Sequence, residues 1–205
     1  MKNRLEISDL SLAYGKRTIL EHISFTLAAG EAVALCGENG SGKTTLLTAA
    51  AGILRPTHGK IRRSGKVGYV PQSAALLEDM TFADNLRYFS AIARARVPQV
   101  LPLCADELRP MRVRDMSGGM KKLCSIVCTL VAAPDILLLD EPYAALDEAH
   151  AAMLTDYLGD FLQNGGSLLI AAHDADEYLP LTNRRLLLTN GSMREETLTR
   201  AEAPV

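Results

Sequence analysis

The segment Gly37-Glu38-Asn39-Gly40-Ser41-Gly42-Lys43-Thr44-Thr45 packs glycines, a lysine and hydroxyl side chains into one short stretch. Glycine lets a backbone curl until successive N–H groups face one anionic centre, and a helix that starts there adds the partial positive charge of its N-terminus. The spacing fits the phosphate-cradling P-loop pattern. On this reading Lys43 reaches the β- and γ-phosphates of a nucleoside triphosphate. Thr44 offers its hydroxyl to Mg²⁺, which prefers octahedral oxygen ligands and keeps several of its waters. A glycine turn matches the pattern by accident in about one per cent of ordinary chains. The loop by itself is equally compatible with kinases, GTPases and many ATPases.

A second acidic feature completes such a site. Ile136-Leu137-Leu138-Leu139-Asp140-Glu141 is an apolar run that ends in two carboxylates. A core strand of this kind delivers Asp140 to a metal, and Glu141 beside it is suited to orient and activate a water. Taken alone, the pair would be the polar end of a buried strand; beside a P-loop, the chemical reading prevails.

The elements that must position these residues follow from pattern. Residues 31–36 read as a buried strand running into the glycine loop, and 43–51 as a helix ending near Gly52 and Pro56. Residues 4–10 and 22–27 have the character of half-buried strands, with Tyr14-Gly15 marking the turn between them. Short strands are expected at 60–63 and 66–70. Residues 80–108 are helix-prone, with Thr81 as N-cap and Pro98, Pro102 and Pro110 dividing the segment. Ser117 opens a further helix that stops before Pro134. Residues 136–139 form a buried parallel-type strand, 149–162 a helix, 167–171 a strand and 185–189 a late strand. This alternation predicts an α/β fold whose parallel sheet is flanked by helices.

Composition narrows the function classes. With 205 residues, 48% of them hydrophobic, the chain suits one domain with an inserted subdomain. A net charge of −2 gives no electrostatic argument for nucleic acid, and none is expected as a partner. Lys121-Lys122, Arg62-Arg63 and Arg184-Arg185 read as solvated faces. Cys36, Cys104, Cys124 and Cys128 lack zinc or redox spacing, and Cys124 and Cys128, one helical turn apart, are expected to pack as small apolar residues. The opening segment is interrupted by Arg4, Glu6 and Asp9, so a cytosolic chain with reduced thiols is expected. The most apolar stretch, 123–139, is cut by Pro134 and Asp135, which argues against a membrane span.

The order of these motifs resembles the ABC ATPase family over nearly the whole chain. The discriminating piece is Met116-Ser117-Gly118-Gly119-Met120, which looks like the family's signature and lies between the helical insert and the acidic strand. The resemblance implies an α/β P-loop NTPase core with a parallel sheet, an N-terminal antiparallel β subdomain and an inserted α-helical subdomain at about 76–132. It implies that Tyr14 stacks on adenine. It also implies that Gln72, after Tyr69-Val70-Pro71, contacts magnesium and the attacking water. Ala145-Leu146-Asp147 is similar to the D-loop that passes between protomers, and His173 to the switch histidine near the γ-phosphate. Catalysis would rest on Glu141, His173, Gln72 and Lys43. Nucleotide binding would rest on Tyr14, Gly37 to Thr45, Ser117, Gly118, Gly119 and Asp147, and metal binding on Thr44, Gln72 and Asp140. His22, His58 and His150 match no family position and read as surface or turn residues. Met120 stands where glutamine is commonest and Ala144 where many members have serine, without removing any phosphate, metal or water contact.

The same resemblance implies ATP and Mg²⁺ as ligands and a head-to-tail dimer, with itself or with a related ATPase. In that dimer Ser117 and Gly119 of one copy close over the nucleotide of the other. It implies attachment through a separate membrane-spanning permease at the inner face of the cell membrane. Leu76, Leu77, Phe82 and Tyr88 are either part of the docking surface for that partner or core of the insert. The compact insert and the Ser-Gly-Gly-Met signature point toward export. A haem-exporter-type ATPase and a non-transport member acting on DNA or ribosomes are the alternatives. The transported substrate is not readable, because specificity belongs to the membrane partner.

Overall fold

The computed structural model describes residues 2–172, 181–182 and 184–197. Its N-terminal part is a long antiparallel hairpin of β1 (Asn3–Tyr14) and β2 (Arg17–Ala28), closed where Tyr14 pairs with Arg17. Along both strands alternate apolar residues are buried. Leu5, Ile7, Leu10 and Leu12 from β1 join Leu20, Ile23, Phe25 and Leu27 from β2 on one inner face. The register shifts between Ile7 and Leu10, where Asp9 has a positive φ of 52°. An extra residue there keeps Leu10 facing inward. β4 (His58–Arg63) adds to the other edge of β1, giving a three-stranded sheet ordered β2-β1-β4.

The second sheet carries the chemistry. Its order is β5-β6-β7-β3-β8-β9, from β3 (Ala32–Cys36), β5 (Val67–Val70), β6 (Ile136–Asp140), β7 (Ser167–Ala171), β8 (Arg184–Thr189) and β9 (Ser192–Thr197). All pairs are parallel except β8 with β9. Every residue of β3, β6 and β7 is buried, as expected of parallel strands covered on both faces. Ile136 and Leu138 share a core with Leu46 and Leu47 of α1 (Lys43–Ala51) and with the inner face of the hairpin. Leu137 and Leu139 face the opposite core, with Leu123 and Ile126 of α3 (Gly118–Leu130) and Leu154 and Leu158 of α4 (Glu148–Gln163). Each fully buried leucine contributes roughly 1.5–3 kcal/mol through the apolar area it removes from water. The sheet is thus fixed from both sides, and its strand ends become rigid mounts for whatever follows them.

α1 ends at Gly52, whose N–H bonds to Ala49 O. Arg63 of β4 supplies a second cap, with Nε on Ala50 O at 2.5 Å and Nη2 on Ala49 O at 2.6 Å. A guanidinium at a helix C-terminus satisfies carbonyls that have no partner within the helix and complements the dipole.

Residues 76–132 run through α2 (Phe82–Ala93), two 3₁₀ turns at Ala105–Leu108 and Val113–Asp115, and α3. Thr81 caps α2 as anticipated, accepting the Asp84 N–H. The helix-prone segment 80–108 divides as expected, but ahead of its first proline: Arg94 adopts φ 52° and closes α2, and Pro98 and Pro102 lie in the irregular segment that follows. Asn85, fully buried, accepts the Leu77 N–H and donates to Leu77 O and Thr81 O, which pins the loop ahead of α2. Of the four residues offered as docking surface or core, Phe82 is fully buried and Leu76 packs against the core, whereas Leu77 and Tyr88 are exposed. Among the described residues no helix is long and apolar enough to cross a membrane.

Cys36, Cys124 and Cys128 are buried and Cys104 is exposed. Burial pushes the Cys124 and Cys128 thiols up to about 12, so neither forms thiolate near neutrality. A colourimetric thiol reagent is therefore expected to titrate one fast cysteine in the native protein, lost in Cys104→Ser. The remaining three should react only in denaturant; a second fast thiol in the serine variant would contradict this packing.

Candidate nucleotide site

The carboxyl ends of β3 and β6, and the chain leaving β5, open at the same edge of the sheet, because the three strands run in parallel through β7. β3 leads into the glycine loop. Gly37 has φ +149°, and a Cβ placed on it would lie 2.5 Å from Leu188 O and 2.7 Å from Ser41 Oγ. No side chain fits there without moving backbone. The loop delivers the chain into α1 at Lys43, where the helix N-terminus faces the same opening. Lys43 is 6% exposed, and its ammonium group donates to Gly37 O at 2.5 Å and Glu38 O at 3.2 Å, so the cation rests over the curled loop. Ser41 Oγ is buried with no hydrogen-bond partner among the described residues. A buried hydroxyl without a partner retains a proton that can be donated to an anionic oxygen.

From β6, Asp140 arrives 2% exposed and accepts a 2.7 Å hydrogen bond from Thr44 Oγ1. Burial raises its pKa and the adjacent Glu141 adds to this, opposed by the Thr44 hydrogen bond and the charges of Lys122 and Lys43. Glu141 has φ +48°, a conformation that costs on the order of 1–3 kcal/mol for a residue with a side chain. Its N–H still bonds Ala171 O at 3.0 Å, so the strand bends without losing its pairing. The bend turns Glu141 toward Gln72, whose Nε2 donates to Glu141 Oε2 at 2.8 Å.

Ser117 is the N-cap of α3 and accepts the Met120 N–H at 3.2 Å. A Cβ on Gly119 would stand 2.5 Å from Ala145 O, so only glycine lets the start of α3 lie against the Ala145-Leu146-Asp147 turn. Ala145 itself has φ +69°. Asp147 caps α4: Oδ1 accepts the His150 N–H at 2.9 Å and meets His150 Nδ1 at 2.7 Å. These bonds from His150, the backbone one first, hold the Asp147 carboxyl below its usual range.

Lys43, Thr44, Gln72, Asp140 and Glu141 are thereby brought together at one sheet edge, while Ser117, Gly118, Gly119 and Asp147 form a second group at the start of α3 and α4. Tyr14 ends β1 and is 56% exposed. A cleft of about 730 Å³ on the outer side of the glycine loop is lined by Arg17, Thr18, Glu38, Asn39 and Leu188 among others, and Tyr14 is not one of them. Arg17 and Thr18 went unnoticed in the sequence, although they directly follow the hairpin turn. His173 lies outside the described residues. The three other histidines are engaged: His22 and His58 both contact the Asp9 carboxylate, at 2.7 and 3.1 Å.

Two basic pairs depart from expectation. Lys121 is partly exposed and bridges to Glu78, but Lys122 is buried and is no part of a solvated face. Its Nζ lies on the carbonyls of Pro71, Gln72 and Asp140. Burial lowers its pKa, and the charges of Asp140 and Glu141 act against that. Arg184 is likewise half-buried and paired, with Glu31 and Glu195.

Residues 20–144 match the family model described as ABC transporter. The cytochrome c biogenesis ATP-binding export protein CcmA of Ruegeria pomeroyi is 36% identical over 172 residues, 82% of this chain and 84% of that one. The zinc import ATP-binding protein ZnuC of Roseobacter denitrificans is 33% identical over 190 residues, 90% of this chain and 74% of that one. A solved structure described as the ATP-binding subunit of an ABC transporter superposes with a TM-score of 0.83 at 28% identity, covering 95% of this chain and 90% of its own. A family model over more than half of the sequence, supported by an export protein and an import protein each matched over most of its length, places the chain in the ABC transporter family as an ATP-binding subunit.

Proposed function

We propose that the chain hydrolyses MgATP in a head-to-tail dimer and that hydrolysis drives a separate membrane-spanning permease, on whose cytoplasmic side the chain docks. The observation that supports this reading is the pair of hydrogen bonds Thr44–Asp140 and Gln72–Glu141 beside the Lys43 loop, between groups suited to hold a metal and to activate a water.

The donor set fits Mg²⁺. Thr44 Oγ1, an Asp140 carboxylate oxygen and the Gln72 amide oxygen are hard ligands. Mg²⁺ keeps several waters and takes further oxygen ligands from substrate phosphates, so a small set of protein donors suffices. Bound there, Mg²⁺ would neutralise charge on the β- and γ-phosphate oxygens. Lys43 and the loop N–H groups orient the triphosphate and stabilise charge on the transferring phosphoryl group. Glu141, held by Gln72, accepts the proton of the attacking water. His173 is proposed to assist at the γ-phosphate, and Tyr14 to stack on the base.

One chain presents two anion-binding helix starts, at Lys43 and at Ser117, which favours a dimer in which the second closes on the partner's nucleotide. Leu77 and Tyr88 are proposed to contribute to permease docking, since they are exposed on the insert. We read the direction as export, from the Ser117-Gly118-Gly119-Met120 signature and the short insert. The test is affinity purification of the tagged chain from detergent-solubilised membranes. A multi-spanning protein should copurify, and vesicles containing both should move its substrate outward from the nucleotide side only with MgATP. Purified protein that does not bind MgATP would overturn the ATPase reading; a permease that carries substrate toward the nucleotide side would overturn export.

A further inference from the structure

Among the described residues, Lys122 is a buried cation that has no part in the phosphate, metal and water roles proposed above. Lys122 sits in the second turn of α3, five residues after Ser117, and is 4% exposed. Its ammonium group donates to Gln72 O at 2.6 Å and Pro71 O at 3.1 Å, and lies 3.5 Å from Asp140 O. An ammonium offers three donors and no acceptor, and here each points at a main-chain carbonyl. The carbonyls belong to two separate segments: the chain leaving β5, and the last residue of β6. Those segments carry Gln72 itself and Glu141, the next residue after Asp140, whose side chains meet at 2.8 Å. Lys122 therefore clamps the backbones on both sides of that hydrogen bond, and its own backbone belongs to the helix that begins with the signature.

We propose that Lys122 is a positioning residue that ties the Ser117 helix to the Gln72–Glu141 pair, so that what α3 grips is transmitted to the groups that activate water. The proposal rests on the ATPase reading above and concerns which residue couples its two halves. Burial of a lysine is unfavourable unless its charge is met by acceptors, and here three carbonyls meet it; an apolar side chain would leave those carbonyls facing each other with no donor.

The test compares Lys122→Met and Lys122→Arg with wild type, alone and in a Gln72→Ala background. In Lys122→Met, kcat is expected to fall about 10-fold or more, while KM and the affinity for a fluorescent ATP analogue in EDTA change less than about 2-fold, because the loss falls on the step after binding. Lys122→Arg, which keeps a multi-donor cation, should recover most of kcat. In the Gln72→Ala background the methionine change should cost less than about 2-fold, since residues acting as one unit are not additive. Amide hydrogen exchange without nucleotide supplies a readout apart from turnover: peptides covering 71–74 and 140–143 should exchange faster in Lys122→Met, with the rest of the sheet unchanged. If the methionine variant does not fold, Lys122→Gln takes its place.

A kcat loss of equal size in both backgrounds, failure of arginine to rescue, or unaltered exchange at both segments would overturn the proposal. Wild-type protein without MgATP turnover would sink the ATPase reading instead, and the exchange result would still decide whether Lys122 holds the two segments.

Discussion

Glu141→Gln is expected to lower MgATP turnover by about 10²-fold or more, the scale of a lost general base, while leaving nucleotide affinity close to wild type. The substitution is nearly isosteric. Gln72 Nε2 donates to Glu141 Oε2 at 2.8 Å, and a glutamine at 141 can present its carbonyl oxygen to the same donor, so the contact survives and only basicity is lost. The backbone at 141, with its positive φ, is no more strained by glutamine than by glutamate. Thr44, Asp140 and Lys43 are untouched, so the phosphate and metal contacts remain. A nucleotide that binds but is not cleaved should hold two copies together, and size-exclusion chromatography of the variant in MgATP should show an accumulated dimer that wild type does not. Turnover equal to wild type would remove Glu141 from the role of base.

The loop at residues 37–45 and the acidic strand end were legible from the sequence for physical reasons. Glycines at those spacings, opening a helix with lysine and threonine, meet a geometric demand that few alternatives meet. A continuous apolar run ending in carboxylates has little choice but a buried parallel strand. Lys122 was not legible. Lysine is almost never fully buried, so a Lys-Lys pair reads as surface, and only the fold shows that one lysine faces Glu78 and solvent while its neighbour faces main-chain carbonyls. The Asp9 contacts were hidden for a related reason. His22 and His58 come from strands on either side of β1, and a register shift near Asp9, not local spacing, brings them to one carboxylate. In the helix-prone segment 80–108, expected to divide at its prolines, propensity misses the point of division, since a left-handed Arg94 ends α2 ahead of Pro98.

Mixing two inactive variants is expected to restore activity that neither has alone. Lys43→Ala removes the cation that rests over the glycine loop, and Ser117→Arg removes the hydroxyl that opens α3. If the loop of one copy works with the serine of the other, a heterodimer of the two variants contains one site with both parts intact and one with neither. Random pairing at equal concentrations makes half the dimers mixed, so turnover should recover to about a quarter of wild type if sites act independently. The chemistry at Ser117 supports a role beyond the chain's own fold. Its oxygen already accepts the Met120 N–H, which leaves its proton free to donate to an anionic oxygen, and the dipole of the 13-residue α3 favours negative charge at that end. Loss of the cap alone costs about 1 kcal/mol of stability, so thermal midpoints separate a missing contact from an unfolded variant. If each site is complete within one chain, mixing yields only the sum of two inactive samples. Recovery that is absent, while both variants remain folded and a tagged copy of one captures the other in MgATP, would rule out a shared pocket between copies.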